Sequence, residues 1–162
     1  MSPRAAWRLE ELRFDRVYDF VGGKLEWLSR GLPTEGEGPH YAVVGEVVEP
    51  DAYTYGLEHT AGQVRAALQP GPDSICVVTN ARGIVLGRVR WKDLPPGDDV
   101  RVRDFMQPGP ATVRPVEQLA PLIERMHVAG VATIIVSTAK GQLLGVVNRA
   151  TAERRLRDRL NP

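Results

Sequence analysis

The stretch Ala132-Thr-Ile-Ile-Val-Ser-Thr-Ala-Lys-Gly-Gln-Leu-Leu-Gly145 restates Ser74-Ile-Cys-Val-Val-Thr-Asn-Ala-Arg-Gly-Ile-Val-Leu-Gly87 at a constant offset of 145 − 87 = 58 positions. The same shift carries Val44, Pro50 and Thr54 onto Val102, Pro108 and Thr112 without a gap. A period slightly above the usual solenoid range, occurring only twice, implies two copies of one supersecondary unit that bury each other.

The second copy carries the clearer pattern. In the segment 116–127, Leu119, Leu122, Ile123 and Met126 fall at i, i+3, i+4 and i+7, the apolar stripe of a helix, with Pro115 just before it and Gly130 after it. Thr133-Ile-Ile-Val-Ser137 and Leu143-Leu-Gly-Val-Val147 are strand-forming runs, and Thr138-Ala-Lys-Gly-Gln142 between them suits a hairpin. A last helix sets Ala152, Leu156 and either Arg159 or Leu160 along one side. The unit therefore reads strand, helix, strand, strand, helix. The first copy follows it, with Cys76-Val-Val-Thr79 and Val85-Leu-Gly-Arg-Val89 as its hairpin. Its helix bears Ala61, Val64 and Leu68 and is stopped by Pro70-Gly-Pro72.

Three zones follow: 1–40 as an N-terminal segment with a Gly-rich linker, 41–98 as the first repeat, and 99–162 as the second. With 162 residues, 43% hydrophobic and 25% charged, the chain has ordinary globular composition. Its 21 basic and 20 acidic side chains leave a net charge of +1 and no bulk field for nucleic acid or an anionic membrane. A single cysteine, Cys76, excludes an internal disulfide, and no apolar run reaches the roughly 20 residues of a membrane span. A soluble cytoplasmic protein is expected.

The order, spacing and duplication of these pieces resemble a tandem pair of CBS domains, a Bateman module. They include Val102-Arg-Asp-Phe-Met106, Thr112-Val-Arg-Pro115, and Lys140-Gly-Gln-Leu-Leu-Gly-Val-Val147 leading into a helix. The resemblance covers roughly 44 to 160. It implies an α/β (α+β) fold of two β-α-β-β-α repeats in one pseudo-twofold module, behind a short N-terminal helical extension. Residues 14–33, with a Gly22-Gly23 turn, Trp27 and the Gly31-Leu-Pro33 exit, are similar to the C-terminal end of a rhodanese domain. The part of that family holding its catalytic cysteine has no counterpart here. Cys76, in the middle of an expected buried strand, lacks the accessible, electropositive setting of a reactive thiol.

In the CBS family, the ligand-contacting element is Gly, two apolar residues, Ser or Thr, two residues, Asp. The hydroxyl lies near ribose or phosphate, and the Asp accepts hydrogen bonds from the ribose diol. The matching residues are Gly87-Arg-Val-Arg90-Trp-Lys-Asp93 and Gly145-Val-Val-Asn148-Arg-Ala-Thr151. The first keeps Asp93 but places Arg90 at the hydroxyl; the second has Asn148 and Thr151 instead. Asp93 reads either as a ribose acceptor or as a helix cap, and Arg90 as a phosphate fork or a solvated strand end. Thr151 reads as a cap. The resemblance assigns nucleotide binding to Arg90, Asp93, Thr112, Ala132 and Asn148.

Trp7, Trp27 and Trp91, in three separate elements, read as packing anchors. The arginines of the final helix read as a solvated face. His40, His59 and His127 share no metal-ligand spacing, and no phosphate loop or nucleophile elbow is present. The expectation is a non-catalytic regulatory module without a cofactor or a metal. It would bind AMP, ADP, ATP or S-adenosylmethionine between its repeats, and it would form a homodimer. The alternative is a protein-interaction module whose ligand sites have decayed.

Overall fold

The β-branched runs of both copies form antiparallel hairpins in the computed structural model, which describes residues 3–18, 27 and 42–160. In the first copy, β1 (Thr54–Tyr55) pairs parallel to β2 (Ile75–Thr79), which pairs antiparallel to β3 (Val85–Arg90). Later in the chain, β5 (Thr112–Val113), β6 (Thr133–Ser137) and β7 (Leu143–Asn148) repeat that pattern. Every register partner moves by the same 58 positions: Thr54↔Val77 becomes Thr112↔Ile135, and Ile75↔Arg90 becomes Thr133↔Asn148. Even the irregularity recurs, between Val78 and Thr79 and between Val136 and Ser137.

The helices differ more. α2 (Ala61–Ala67) opens on a reciprocal cap, in which Gln63 N–H donates to Thr60 Oγ1 and Thr60 N–H donates to Gln63 Oε1. Its counterpart α4 (Leu119–Val128) begins at the first residue of the apolar stripe, three residues later than the segment 116–127 read after Pro115. The reason is local: the carbonyls of Pro115 and Glu117 accept the N–H groups of Gly45 and Val44, at 2.8 and 2.9 Å, and so leave the helical ladder. The largest difference closes each copy. The second ends in α5 (Arg149–Leu160), whereas the first ends in one 3-10 turn, Trp91–Asp93. The closing helix expected in the first copy is replaced because Leu94-Pro95-Pro96 follows, and proline removes an amide donor while disfavouring helix in the residue before it. Arg65 of α2 holds this stretch, donating to the Asp98 carboxylate and the Pro95 carbonyl.

Each copy lends its entry segment to the other. Glu49 forms a bridge with Val146 of β7, and β4 (Gln107–Pro108) pairs with β3 through Arg88↔Gln107 and Gly87↔Pro108. The backbone bonds are reciprocal: Val44 N–H donates to Glu117 O at 2.9 Å and Val102 N–H to His59 O at 2.8 Å. Ile84 and Gln142, 58 positions apart, bridge one another, which puts them on the pseudo-twofold axis. The apolar clusters are therefore mixed. Val44 and Val47 of the first copy join Leu119, Leu122, Met126 and Val136. Val102 and Phe105, from α3 (Val102–Phe105) of the second, join Val64, Cys76, Val78 and Val89.

Two glycines make this crossing possible. A Cβ at Gly145, where φ is +145°, would stand 2.3 Å from the Glu49 carbonyl oxygen. One at Gly87 would stand 2.7 Å from Met106 Sδ and 2.9 Å from Gln107 O. A side chain at either position collides with the strand arriving from the other copy. Beyond the sheets, Glu46 ties α5 to the entry segment, accepting from Arg155 at 3.2 Å and Arg159 at 3.0 Å. Part of the basic helix face is thus paired rather than simply solvated. Burial pushes the Cys76 thiol up to about 12, in keeping with a core position.

Residues 1–36 form a first unit and 37–162 a second. The described helix of the first, α1 (Pro3–Glu11), carries an Arg8–Glu11 ion pair at 2.7 Å and leaves Trp7 exposed, so Trp7 is no packing anchor there. Trp91, in contrast, packs against the cluster of Val64, Cys76, Val78 and Val89. Most of 14–33, the rhodanese-like stretch, lies outside the described residues.

Candidate functional site

The motif residues gather at two junctions where an entry segment crosses a hairpin. At the first, β3 delivers Arg90 at its end and the 3-10 turn delivers Asp93 three residues on. Asp93 Oδ2 accepts from Arg90 Nε at 2.7 Å and from Gln107 Nε2 at 3.1 Å, and Gln107 Oε1 accepts from Arg88 Nε at 3.2 Å. Arg90 and Asp93 are half-buried, with side chains 30% and 24% exposed. Asp93 is the last residue of its turn and binds side-chain donors rather than orphan amides, so the cap reading does not hold. The result is a chain of alternating donors and acceptors spanning both copies, with a carboxylate at its centre.

At the second junction, Asn148 ends β7 and its Oδ1 accepts the Ala150 amide at 2.9 Å, capping the first turn of α5. The cap is therefore Asn148, not Thr151, because only the residue preceding the helix can reach those first amides. Thr151 instead donates its hydroxyl to Glu49 Oε1 at 3.1 Å. The Arg149 amide bonds the Ala132 carbonyl at 2.8 Å, as the Trp91 amide bonds Ser74 at 3.0 Å. Thr112 begins β5, one strand away, and its Oγ1 accepts from Arg114 Nη1 at 3.0 Å. Arg114 also donates to the buried Ser137 hydroxyl at 2.5 Å.

The five candidates thus divide into Arg90 with Asp93 on one sheet, and Thr112, Ala132 and Asn148 on the other. Sequence reasoning missed Gln107 and Glu49. Their signal was present, since they are 58 positions apart and occupy equivalent places, but a linear reading does not reveal that each faces the other copy's motif. An apolar cavity of about 280 Å³ lies between α4, β5 and β6, lined by the candidate Thr112 together with Ala111, Val113, Leu122, Met126 and Ile134. In the first copy Tyr53 and Tyr55 stand where Ala111 and Val113 leave this space. Among the described residues, no group of three or more acidic, histidine or cysteine side chains is arranged to hold a metal, and no helix is long and apolar enough to cross a membrane.

No family model matches the chain, and no curated protein matches it by sequence. Solved structures do match. The cytosolic domain of the Mg2+ channel MgtE in complex with ATP superposes with a TM-score of 0.61 at 22% identity, over 72% of this chain and 50% of that one. The chain therefore spans about half the length of that channel domain. The CBS domains of a transcriptional regulator from Streptococcus pneumoniae give 0.60 at 20% identity, over 70% and 98%. The CBS domain pair of protein MJ0100, in complex with 5′-methylthioadenosine and S-adenosyl-L-methionine, gives 0.59 at 10% identity, over 73% and 98%. The shared arrangement is that of a CBS domain pair, a mixed α and β fold.

Proposed function

We propose that this chain, folded as a CBS domain pair, is a non-catalytic regulatory module that binds an adenine nucleotide or related adenosyl ligand between its repeats and passes its occupancy to a partner in the cytoplasm. The observation that carries this reading is the half-buried Asp93 carboxylate, oriented by Arg90 and by Gln107 from the other copy. A carboxylate so held accepts both hydroxyls of a ribose, while the terminal nitrogens of Arg90 present a planar fork to a phosphate. On the second copy the candidate set is Thr112, Ala132 and Asn148, of which Asn148 is the counterpart of Arg90. Adenosyl ligands in two proteins of the same fold support AMP, ADP, ATP or S-adenosylmethionine as the class to test. Because Asp93 also bonds Gln107, a ligand competing for the carboxylate changes a contact between the copies. That is a physical route from occupancy to shape. A homodimer is the assembly we assign to the module.

Calorimetry against these four ligands tests the reading. Asp93→Ala should weaken the preferred ligand by about tenfold to a hundredfold, since hydrogen bonds to charged groups contribute roughly 1.5–3 kcal/mol. Thr151→Ala should change nucleotide binding at the first junction little. Equal affinity in wild type and Asp93→Ala would remove the site. No binding of any of the four would leave the interaction module as the function.

A further inference from the structure

We infer that Tyr55 is a built-in occupant of the first copy: its ring fills the space that stays open in the second, and the module therefore takes one ligand per chain. This rests on the nucleotide-binding reading of the first junction and goes on to its stoichiometry and to the residue that sets it. The cavity of about 280 Å³ exceeds the roughly 150 Å³ that admits a benzene ring, and its wall is mainly aliphatic. Glu117 and Arg125, the charged members of its lining, pair with one another at 2.7 Å. The interior is left to an uncharged ring.

The first copy shows what fits. Tyr55 pairs with Val78 as Val113 pairs with Val136, so its side chain leaves the sheet on the face where Val113 stands. There Tyr55 packs against the cluster of Val64, Cys76, Val78 and Val89, and its ring meets the His59 ring edge-on at 5.4 Å. Its hydroxyl donates to the Gln63 carbonyl of α2 at 3.3 Å, and burial raises the phenol above the ordinary 10.0. The corresponding residues of the second copy are Val113, Glu117 and Pro121, none of them aromatic.

The open cavity and the intact motif belong to one site. β4 brings Gln107 to Asp93, and four residues later the same stretch reaches Ala111 in the cavity wall, at most about 14 Å further along the chain. A ligand with a ring at one end and hydroxyls at the other engages both. The reciprocal path runs from Glu49, bonded to Thr151, to Tyr53 and Tyr55. One path thus joins a carboxylate held by donors to an empty space. The other joins Thr151 and Asn148, engaged by Glu49 and the Ala150 amide, to a filled one. Both halves of the second site are closed together. Thr112 accordingly serves Asp93 across the copies, and Asn148 remains a helix cap.

Two reciprocal swaps on the full chain test this. In calorimetry, the tightest binder among AMP, ADP, ATP and S-adenosylmethionine should saturate at one per chain. Val113→Tyr, which carries the first copy's ring into the cavity, should weaken it about tenfold or more. Phenol, followed by methyl NMR, should shift the Met126 signal in wild type and leave those of Leu68, its buried counterpart, unmoved. In Tyr55→Val phenol should shift the Leu68 signals as well. Melting temperatures check that both variants fold, and each swap stands if the other does not. Two nucleotides per chain, unchanged affinity in Val113→Tyr, or a Leu68 shift in wild type would overturn the inference and leave the nucleotide reading intact. So would a Tyr55→Val protein in which phenol still fails to reach Leu68. The phenol pattern without nucleotide binding would uphold Tyr55 as the occupant and overturn the nucleotide reading instead.

Discussion

The two repeats share a strand register to the residue, yet one closes with a 12-residue helix and the other with a three-residue turn. What is common to both copies is the hairpin, its irregularity, and the crossing of the other copy's entry segment over Gly87 or Gly145. Where the second copy has its closing helix, the first has the Pro95–Asp98 stretch, held to α2 by Arg65. Strand pairing and the crossing define the module, and the helices follow local sequence.

If the crossing carries the fold, the largest effect belongs to the glycine with the least room. Gly145→Val should cost about 4 kcal/mol or more in urea unfolding, because it adds a backbone clash to a left-handed φ that branched side chains avoid. Gly87→Ala should cost less, about 1–3 kcal/mol, since part of its collision is with the movable end of Met106. Equal costs would mean that the two crossings are not inequivalent in the way described. Leu119→Ala sharpens the comparison from the core. It should destabilise by about 2–5 kcal/mol, whereas its counterpart in the first copy is already Ala61.

Smaller effects separate the copies by pH. Burial alone would raise the Glu46 carboxyl, but the Val43 amide, Arg155 and Arg159 outweigh it and hold it below the ordinary 4.5. Its contribution is therefore complete above pH 4.5 and is lost as the pH falls through the lowered value. Glu46→Gln should remove that part of the acid dependence, at a cost of about 1 kcal/mol or less at neutral pH, read as a shift in thermal midpoint. Cys76 acts at the other end of the scale, in the first copy. Its thiol ionises near 9.0 when unfolded and is pushed up to about 12 when folded, so stability should decline as pH rises from 9 towards 12. Cys76→Ser should flatten that decline. A thiol that alkylates at neutral pH without unfolding would contradict its burial.

The hairpins were legible because Ile75–Thr79 and Thr133–Ser137 are β-branched and doubled; either run alone would have been an ambiguous apolar segment. Helix ends were less legible. Pro115 looked like a helix start, yet its carbonyl is spent on the Gly45 amide, a contact made across 70 positions of chain. The Leu94-Pro95-Pro96 sequence did carry the signal that the first closing helix would be truncated, but the repeat's symmetry argued the other way. At the site, Asp93 and Arg90 were found from motif spacing. Gln107 and Glu49 were not, because they act on the copy to which they do not belong.

That last property extends beyond the junctions. A single 58-residue unit could not satisfy its own Gly87 or Gly145 strand; it would need the leading segment of a second, identical unit. The chain is in effect a domain-swapped dimer whose protomers are joined end to end through Pro95–Val100, so that association, ordinarily paid in translational entropy at every encounter, has become intramolecular. Severing that connector should yield halves that are unstable apart and reassemble when mixed.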